Sequence, residues 1–366
     1  MTNPFEPLAF PRGPAMKNRF MLAPLTNCQS HDDGTLSDEE FRWLTMRAEG
    51  GFGLTMTCAS HVQAQGRGFP GQLGIFSDAQ VPGLSRLADA IKRTGSLAMV
   101  QLHHAGMRSP AALIGTQPVC PSDDAETGAR ALDLAEVEQL EQDFIAAALR
   151  AERAGFDGVE LHGAHGYVLA QFLSAETNRR EDRYGGSPEN RSRILFDILA
   201  GIRARCRTGF KVGVRLSPER FGLRLPEMVG LAQRLMSGGM VDFLDLSLWD
   251  VFKEPMDVEF QGRSLLSYFT ALDRGQVRVG AAGKITGAAD VARCLEAGLD
   301  FAIVGRAAIL HHDFPERVRA DSGFRAAPLP VTPEHLLNEG LSPTFIGYMG
   351  NWKGFVAPAA GAAMPA

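Results

Sequence analysis

Short apolar and β-branched runs alternate along the chain with longer stretches in which apolar positions recur every three or four residues. The short runs predict strands at Phe20–Ala23, Leu54–Thr57, Ala98–Leu102, Gly158–Leu161, Lys211–Arg215, Phe243–Leu246, Val277–Gly280 and Phe301–Val304. Eight strands interleaved with helical patterns predict an α/β single domain, a closed parallel (β/α)8 barrel of the TIM type. An open doubly wound sheet is the alternative, but no Gly-x-Gly-x-x-Gly follows a strand. Helix ends are legible too. Leu134–Ala154 has Asp133 as N-cap, Glu136 at capping-box spacing, and Val137, Leu140, Phe144, Ala148 and Ala151 on one face before Gly155 stops it. Ser187-Pro188 opens another helix, and Ala288–Ala297 ends at Gly298. Ser109–Leu132, rich in Pro, Gly, Ser and Asp, reads as a surface loop over one barrel end. Residues 1–356 are assigned to the barrel, and the Ala/Pro/Gly-rich Ala357–Ala366 to a frayed tail.

Composition narrows the function classes. The chain has 366 residues, 45% hydrophobic and 22% charged, enough apolar material for a large core. A net charge of −5 carries no basic excess, which argues against nucleic acid or an anionic membrane as partner. No apolar run reaches the roughly 18 residues a membrane span needs, and Met1 to Phe10 shows no signal-peptide pattern. The five cysteines (Cys28, Cys58, Cys120, Cys206, Cys294) are scattered without a Cys-x-x-Cys pair. That spacing argues against a disulfide framework, zinc or an iron–sulfur cluster, and fits a reducing cytoplasm. A small-molecule enzyme is expected; a homodimer is compatible with the sequence.

In such barrels the chemistry gathers where strands end. Strand one exits into Ala23-Pro24-Leu25-Thr26, and strand three through Gln101 to His103-His104. Strand four exits into His162-Gly-Ala-His165-Gly-Tyr167. His162 and His165 have metal-ligand spacing, with Glu160 on the same strand face, but they also suit two donors converging on one oxygen. Tyr167 is either a proton carrier or packing. Arg215 ends an apolar strand and needs an anionic partner, whether a ligand or a structural carboxylate. The segment Val279–Thr286 is not a Walker loop, because Arg278 stands where its first Gly belongs. With Gly305-Arg306 after strand eight, Gly283 fits a barrel phosphate cradle; two ordinary tight turns are the plainer reading.

The stretch Glu160-Leu-His-Gly-Ala-His-Gly-Tyr-Val-Leu-Ala-Gln-Phe-Leu-Ser174, followed by Asn178-Arg-Arg-Glu-Asp-Arg-Tyr-Gly-Gly-Ser-Pro-Glu-Asn-Arg191, resembles the Old Yellow Enzyme family of FMN ene-reductases, particularly its bacterial branch. Residues 17–26, Gln65-Gly-Arg67 and Val100-Gln-Leu-His-His-Ala-Gly106 extend the resemblance from about Met16 to Arg319. The resemblance implies non-covalent FMN, with NAD(P)H as hydride-donating co-substrate. By the same pattern Ala23, Pro24, Leu25, Thr26 and Ala59 line the flavin, and Gln101 and Arg215 face its pyrimidine part. Gly283, Gly305 and Arg306 hold the phosphate. His162 and His165 bind the oxygen of an activated alkene, Tyr167 gives the proton, and both half-reactions share one site. Cys28 falls where some relatives carry a substrate-contacting aromatic, and Thr26 where some carry Cys. Larger members have an iron–sulfur site and a further nucleotide domain. Without that cysteine cluster, hydride is expected directly from free nicotinamide. Ser247–Tyr268, with Trp249, Phe252, Tyr268 and Phe269, is a candidate lid whose aromatics also suit packing. The competing readings are another FMN barrel, such as a 2-hydroxy-acid oxidase or dihydroorotate-type dehydrogenase, and a phosphate-binding barrel without flavin.

Overall fold

The computed structural model describes residues 2–358. Eight parallel strands close into a barrel: β1 (Phe20–Leu22), β2 (Leu54–His61), β3 (Leu97–His103), β4 (Gly158–Gly163), β5 (Lys211–Leu216), β6 (Phe243–Ser247), β7 (Arg278–Ala282) and β8 (Phe301–Val304). Each pairs with its sequence neighbours, and β1 closes the ring on β8 with Phe20 opposite Ala302. All eight predicted strands are present, with ends shifted by a few residues. The largest extension is β2, which runs on to His61 past a register shift between Met56 and Ala59.

The strands are wrapped by α1 (Asp38–Glu49), α2 (Val81–Arg93), α3 (Leu134–Arg153), α4 (Arg193–Arg205), α5 (Leu225–Ser237), the single turn α6 (Ser267–Thr270), α7 (Ala288–Glu296) and α8 (Phe314–Ala320). In α3 the Asp133–Glu136 capping box forms in both directions. Its five predicted apolar positions are all buried, and each large one contributes about 1.5–3 kcal/mol. Ser187 caps the short turn Pro188–Arg191 ahead of α4. Two further helices, α9 (Pro333–Asn338) and α10 (Pro343–Gly350), follow the last barrel unit.

Two apolar cores result. The larger lies between strands and helices. The smaller fills the lower lumen with Met21, Leu54, Met56, Leu97, Met99, Phe243, Phe301 and Ile303. An N-terminal antiparallel bridge, Leu8 to Met16, closes it from below. Above that plug the inward positions turn polar: Gln101, Glu160, Arg215 and Asp245. The lumen is therefore sealed at the strand starts and polar at the strand ends, which fixes the functional face.

Residues 109–132 depart from a plain surface loop. They contain a helical turn (Ala111–Ile114) and a two-stranded ribbon pairing Val119 with Arg130 and Cys120 with Ala131. Val119, Cys120 and Leu132 are buried, and Arg180 pins the ribbon through the carbonyls of Pro121 and Leu132. Turn-forming residues mark where the chain bends, and they conceal the few apolar positions that anchor it between bends. Of the expected tail, Ala357 and Pro358 are described and residues 359–366 lie outside the described structure. No helix of the described residues is long and apolar enough to cross a membrane.

Candidate active site

β4 carries Glu160 and His162 to the barrel mouth, and the turn after it brings back His165 and Tyr167. His165 adopts a left-handed conformation (φ 60°), as does Gly166 (φ 70°). A non-glycine residue holds this conformation only when its surroundings require it. Here the His165 N–H donates to Ser217 Oγ at 3.0 Å, and its carbonyl accepts from Arg108 Nη1 at 2.5 Å. The fold-back packs His162 against His165 and Tyr167, each at a ring separation of 5.0 Å. His103, at the end of β3, stands 4.4 Å from the Tyr167 ring, and the Arg108 guanidinium lies 4.9 Å from it.

The hydrogen bonds fix imidazole tautomers. His162 Nδ1 accepts the Ala164 N–H at 3.3 Å, so its ring proton sits on Nε2. Burial, then the neighbouring His165, holds its pKa well below the usual histidine range, so it stays a neutral N–H donor. For His103 the chain of logic is longer. Gln72 Oε1 accepts the Gly68 N–H at 2.6 Å, and Gln72 Nε2 donates to the Ala59 carbonyl at 2.7 Å. The amide orientation is thus set, its Nε2 faces His103 Nδ1 at 3.1 Å, and His103 carries its proton on Nε2. His165 uses Nε2 toward Ser247 Oγ at 2.7 Å, leaving Nδ1 for another partner. Burial, then Arg215, also holds His165 neutral.

The floor of the mouth is formed across β3–β6. Gln101 Nε2 donates to Glu160 Oε1 at 2.8 Å, which leaves the amide oxygen for a partner above. Arg215 is 6% exposed, and its Nε stands 3.0 Å from Asp245 Oδ2, so the structural carboxylate is present on that edge. Among the described residues its guanidinium makes no hydrogen bond, which leaves its outer nitrogens for an anionic or carbonyl-bearing ligand. Residues 23–26 run along the opposite side, with the Ala23 N–H on the Val304 carbonyl at 3.0 Å. Ala59 lies beyond the β2 irregularity, buried on the same wall as Gln101, its partner in register. Cys28 is left-handed (φ 57°), and burial pushes its thiol pKa up to about 11, so it stays a neutral thiol.

The remaining side, after β7 and β8, is backbone. Gly283 has φ 153°, and a Cβ there would lie 2.7 Å from Asp250 N, so no side chain fits. Gly305 is different: a Cβ would meet only Leu25 Cδ2 at 3.8 Å and Ala23 Cβ at 3.9 Å, ordinary contacts. The protein's own packing does not require glycine there, whereas a ligand approaching the backbone would. Arg306 is exposed at the first position of the short helix Arg306–Leu310. Gly305, Arg306, the Gln101 amide oxygen and the under-partnered Arg215 together fit a phosphorylated, imide-bearing cofactor such as FMN.

Arg108, Ser217 and Tyr348 at the mouth escaped the sequence reading, while the sequence marks His103 only as a strand exit and Ser247 only as the start of a lid segment, neither with a role. Tyr348 is the least local. Helix α10 docks on the chain after β1 through the Ser342 N–H on Gln29 Oε1 at 3.1 Å and Phe345 edge-on to Trp43 at 4.9 Å. The half-buried Tyr348 then comes close to Cys28, Trp352, Tyr167 and Thr26, and burial raises its pKa. The three-residue step from Phe345 to Tyr348 signals a helix face, but nothing local says that the helix returns to the mouth. In segment 247–268 the aromatics divide. Phe252 packs under Arg293 at 3.8 Å and Tyr268 donates to the Phe260 carbonyl at 2.7 Å, while Trp249 is 49% exposed with Arg220 beside it.

Among the described residues, two His/Asp/Glu groups have metal-like spacing, both involving Glu339 near α9 and neither containing His162 or His165. In one of them His311 Nε2 accepts the Ala327 N–H, so the ring's other nitrogen carries the proton and cannot ligate.

Residues 4–322 match the sequence profile of the NADH:flavin oxidoreductase / NADH oxidase family. A probable NADH-dependent flavin oxidoreductase of Bacillus subtilis is 36% identical over 326 residues, covering 86% of this chain and 87% of the relative. An NADPH dehydrogenase of Bacillus licheniformis is 34% identical, covering 78% and 85%. The solved structure of an old yellow enzyme homologue from Zymomonas mobilis superposes with a TM-score of 0.77 at 28% identity, over 92% of this chain and 96% of that one.

Proposed function

The chain belongs to the NADH:flavin oxidoreductase / NADH oxidase family, that of the Old Yellow Enzymes, and is an FMN-dependent NAD(P)H oxidoreductase; from that premise we propose that it reduces activated C=C bonds in enones, enals, maleimides and nitroalkenes. The observation that carries this reading is the pair of neutral imidazoles beside a phenol at the strand ends. FMN supplies the hydride relay between nicotinamide and alkene. Gln101 and Arg215 hold its pyrimidine end, residues 23–26 and Ala59 flank its ring, and Gly283, Gly305 and Arg306 take its phosphate without a covalent bond.

The rest is done by side chains over the ring. His162 donates from Nε2, and His165 from Nδ1 when Ser247 donates to its Nε2. Both N–H groups converge on the oxygen conjugated to the alkene. Drawing electrons into that oxygen leaves the β-carbon electron-poor, and stabilising the developing negative charge lowers the barrier. Tyr167 then delivers its proton to the α-carbon. One mouth serves both nicotinamide and alkene, so the two half-reactions alternate, with ping-pong kinetics. Cys28, neutral and small, shapes the pocket without taking part in chemistry.

Acid release should yield one FMN per chain. Anaerobic NADPH or NADH should bleach the flavin, and cyclohexenone or maleimide should restore its colour. FAD, a covalent flavin, or reoxidation by no alkene would overturn the proposal. Bleaching by a 2-hydroxy acid instead of NAD(P)H would favour another barrel flavoenzyme.

A further inference from the structure

The polar layer of the lumen buries more negative charge than positive. Glu160 on β4 and Asp245 on β6 are fully buried, and Arg215 on β5 stands between them in register with Asp245. Glu160 Oε1 accepts from Gln101, but Oε2 has no partner, and neither Asp245 oxygen accepts a hydrogen bond. Gln101 from β3 sits on Glu160, and Arg215 from β5 lies 3.0 Å from Asp245; the charges acting on Glu160 are those of Arg215 and Asp245, and the charge acting on Asp245 is that of Arg215. If both carboxyls ionised, two negative charges would share one guanidinium above an apolar plug. Burial opposes that state, and the carboxylates oppose each other, so both titrate above the ordinary carboxylate range.

We propose that Glu160 and Asp245 form a one-proton store beneath the pyrimidine end of the flavin, filled when the flavin is reduced and emptied when it is reoxidised. The proposal rests on the reading that Gln101 and Arg215 face that end. Two-electron reduction by hydride leaves negative charge there, and Arg215 is the one cation in this layer among the described residues. Charge that draws on Arg215 withdraws compensation from the carboxylates, so their affinity for a proton rises. Over the pH range in which the pair is ionised beside oxidised flavin but protonated beside reduced flavin, reduction takes up one solvent proton. NAD(P)H is oxidised, the flavin gains the hydride, and the proton from water converts one carboxylate into a carboxylic acid. Reoxidation by the alkene returns that proton to water. Glu160 has a second duty: as an acceptor beneath Gln101 it turns the amide nitrogen down, which presents the amide oxygen to the flavin imide N–H.

The test is the midpoint potential of the FMN-loaded enzyme, followed anaerobically from roughly pH 6 to pH 10 in wild type, Glu160→Gln and Asp245→Asn. One additional proton per two electrons steepens the slope by about 30 mV per pH unit. Wild type should show a segment steeper by that amount. Glu160→Gln keeps an acceptor oxygen for Gln101 and should lose the steeper segment, as should Asp245→Asn, the second arm should either variant bind FMN poorly. A wild-type plot without the segment, or variants that retain it, overturns the proton store. Arg215→Ala separates the underlying reading: if FMN affinity and potential both stay at wild-type values, the flavin placement itself is wrong. If Arg215→Ala shifts them while Glu160→Gln leaves the slope unchanged, only the proton store falls.

Discussion

The β3–β4 side of the barrel mouth and the β7–β8 side solve opposite problems. On the first, side chains do everything: hydrogen bonds set the Gln101 amide and the His103 and His162 tautomers and anchor His165 to Ser247, and Tyr167 is held by ring packing against His103, His162 and Arg108. On the second, side chains are removed: Gly283 admits none, and Gly305 leaves space that the protein does not use. Donors aimed at a developing charge must be rigid and specific, because catalysis depends on where the charge forms. A phosphate needs only convergent N–H groups and positive potential, which bare backbone supplies. The contrast predicts that damage on the first side should appear in rates and damage on the second in cofactor retention.

Tyr167→Phe should have the largest effect. Losing the proposed general acid should slow flavin reoxidation by cyclohexenone about 10²–10⁴-fold, with flavin reduction by NAD(P)H close to wild type. Stopped-flow absorbance separates the two halves. Equal slowing of both would mean that the phenol supports packing under Arg108 and His103. His162→Ala should follow, with about 10²–10³-fold slower enone reoxidation and weaker binding of phenolic ligands. Because His162 is held neutral, acidification to about pH 6 should leave its donor role intact. A sharp loss of phenol affinity near the ordinary imidazole pKa of about 6.5 would contradict that.

The same contrast explains what could be read from the chain. The strands were legible because each is a short apolar run punctuated by Gly or a helix cap, and burial on both faces leaves little ambiguity. His162, His165 and Tyr167 were legible because they crowd one strand exit. Gly305 stands out in the sequence only beside Arg306, since a glycine without a ligand looks like a turn, and its phosphate role remains a proposal. Arg108, Ser217 and Ser247 were not legible, because each acts across strands: Arg108 on the His165 carbonyl 57 residues away, Ser247 on its ring 82 residues away. Glu160 was noticed for its spacing to His162, but its contact is with Gln101 across the strand pair. Periodicity gives the face a residue occupies, whereas register decides which partner it meets.

On the β7–β8 side, Gly305→Ala tests the backbone argument. The added methyl fits the protein, with contacts of 3.8–3.9 Å, so folding should survive. If a phosphate must approach this backbone, FMN affinity should fall about tenfold, or about 1.4 kcal/mol. Ultrafiltration of the holoenzyme measures it, with circular dichroism as the folding check. Unchanged retention would return Gly305 to an ordinary turn and leave Arg306 as the main phosphate contact.

The smallest effect is expected at Tyr348, which belongs to neither side. It arrives from α10 and lies near Thr26 on the β1 exit, between the two regions compared above. Tyr348→Phe removes one hydroxyl, worth at most one hydrogen bond, and leaves Phe345 and the Gln29–Ser342 contact to hold the helix. A net hydrogen bond contributes about 0.5–1.5 kcal/mol, or roughly a 2- to 10-fold effect. Thr26 sits beside the proposed flavin edge and Cys28 beside the proposed substrate. A change confined to the reduction potential would therefore assign Tyr348 to the flavin through Thr26. A change confined to KM across a series of enones of increasing bulk would assign it to the pocket wall with Cys28. Equal small losses in both would mean that α10 positions the whole β1 exit. No change in either would make Tyr348 a surface phenol at the rim, and the mouth would then owe its chemistry to the barrel strands and their loops alone.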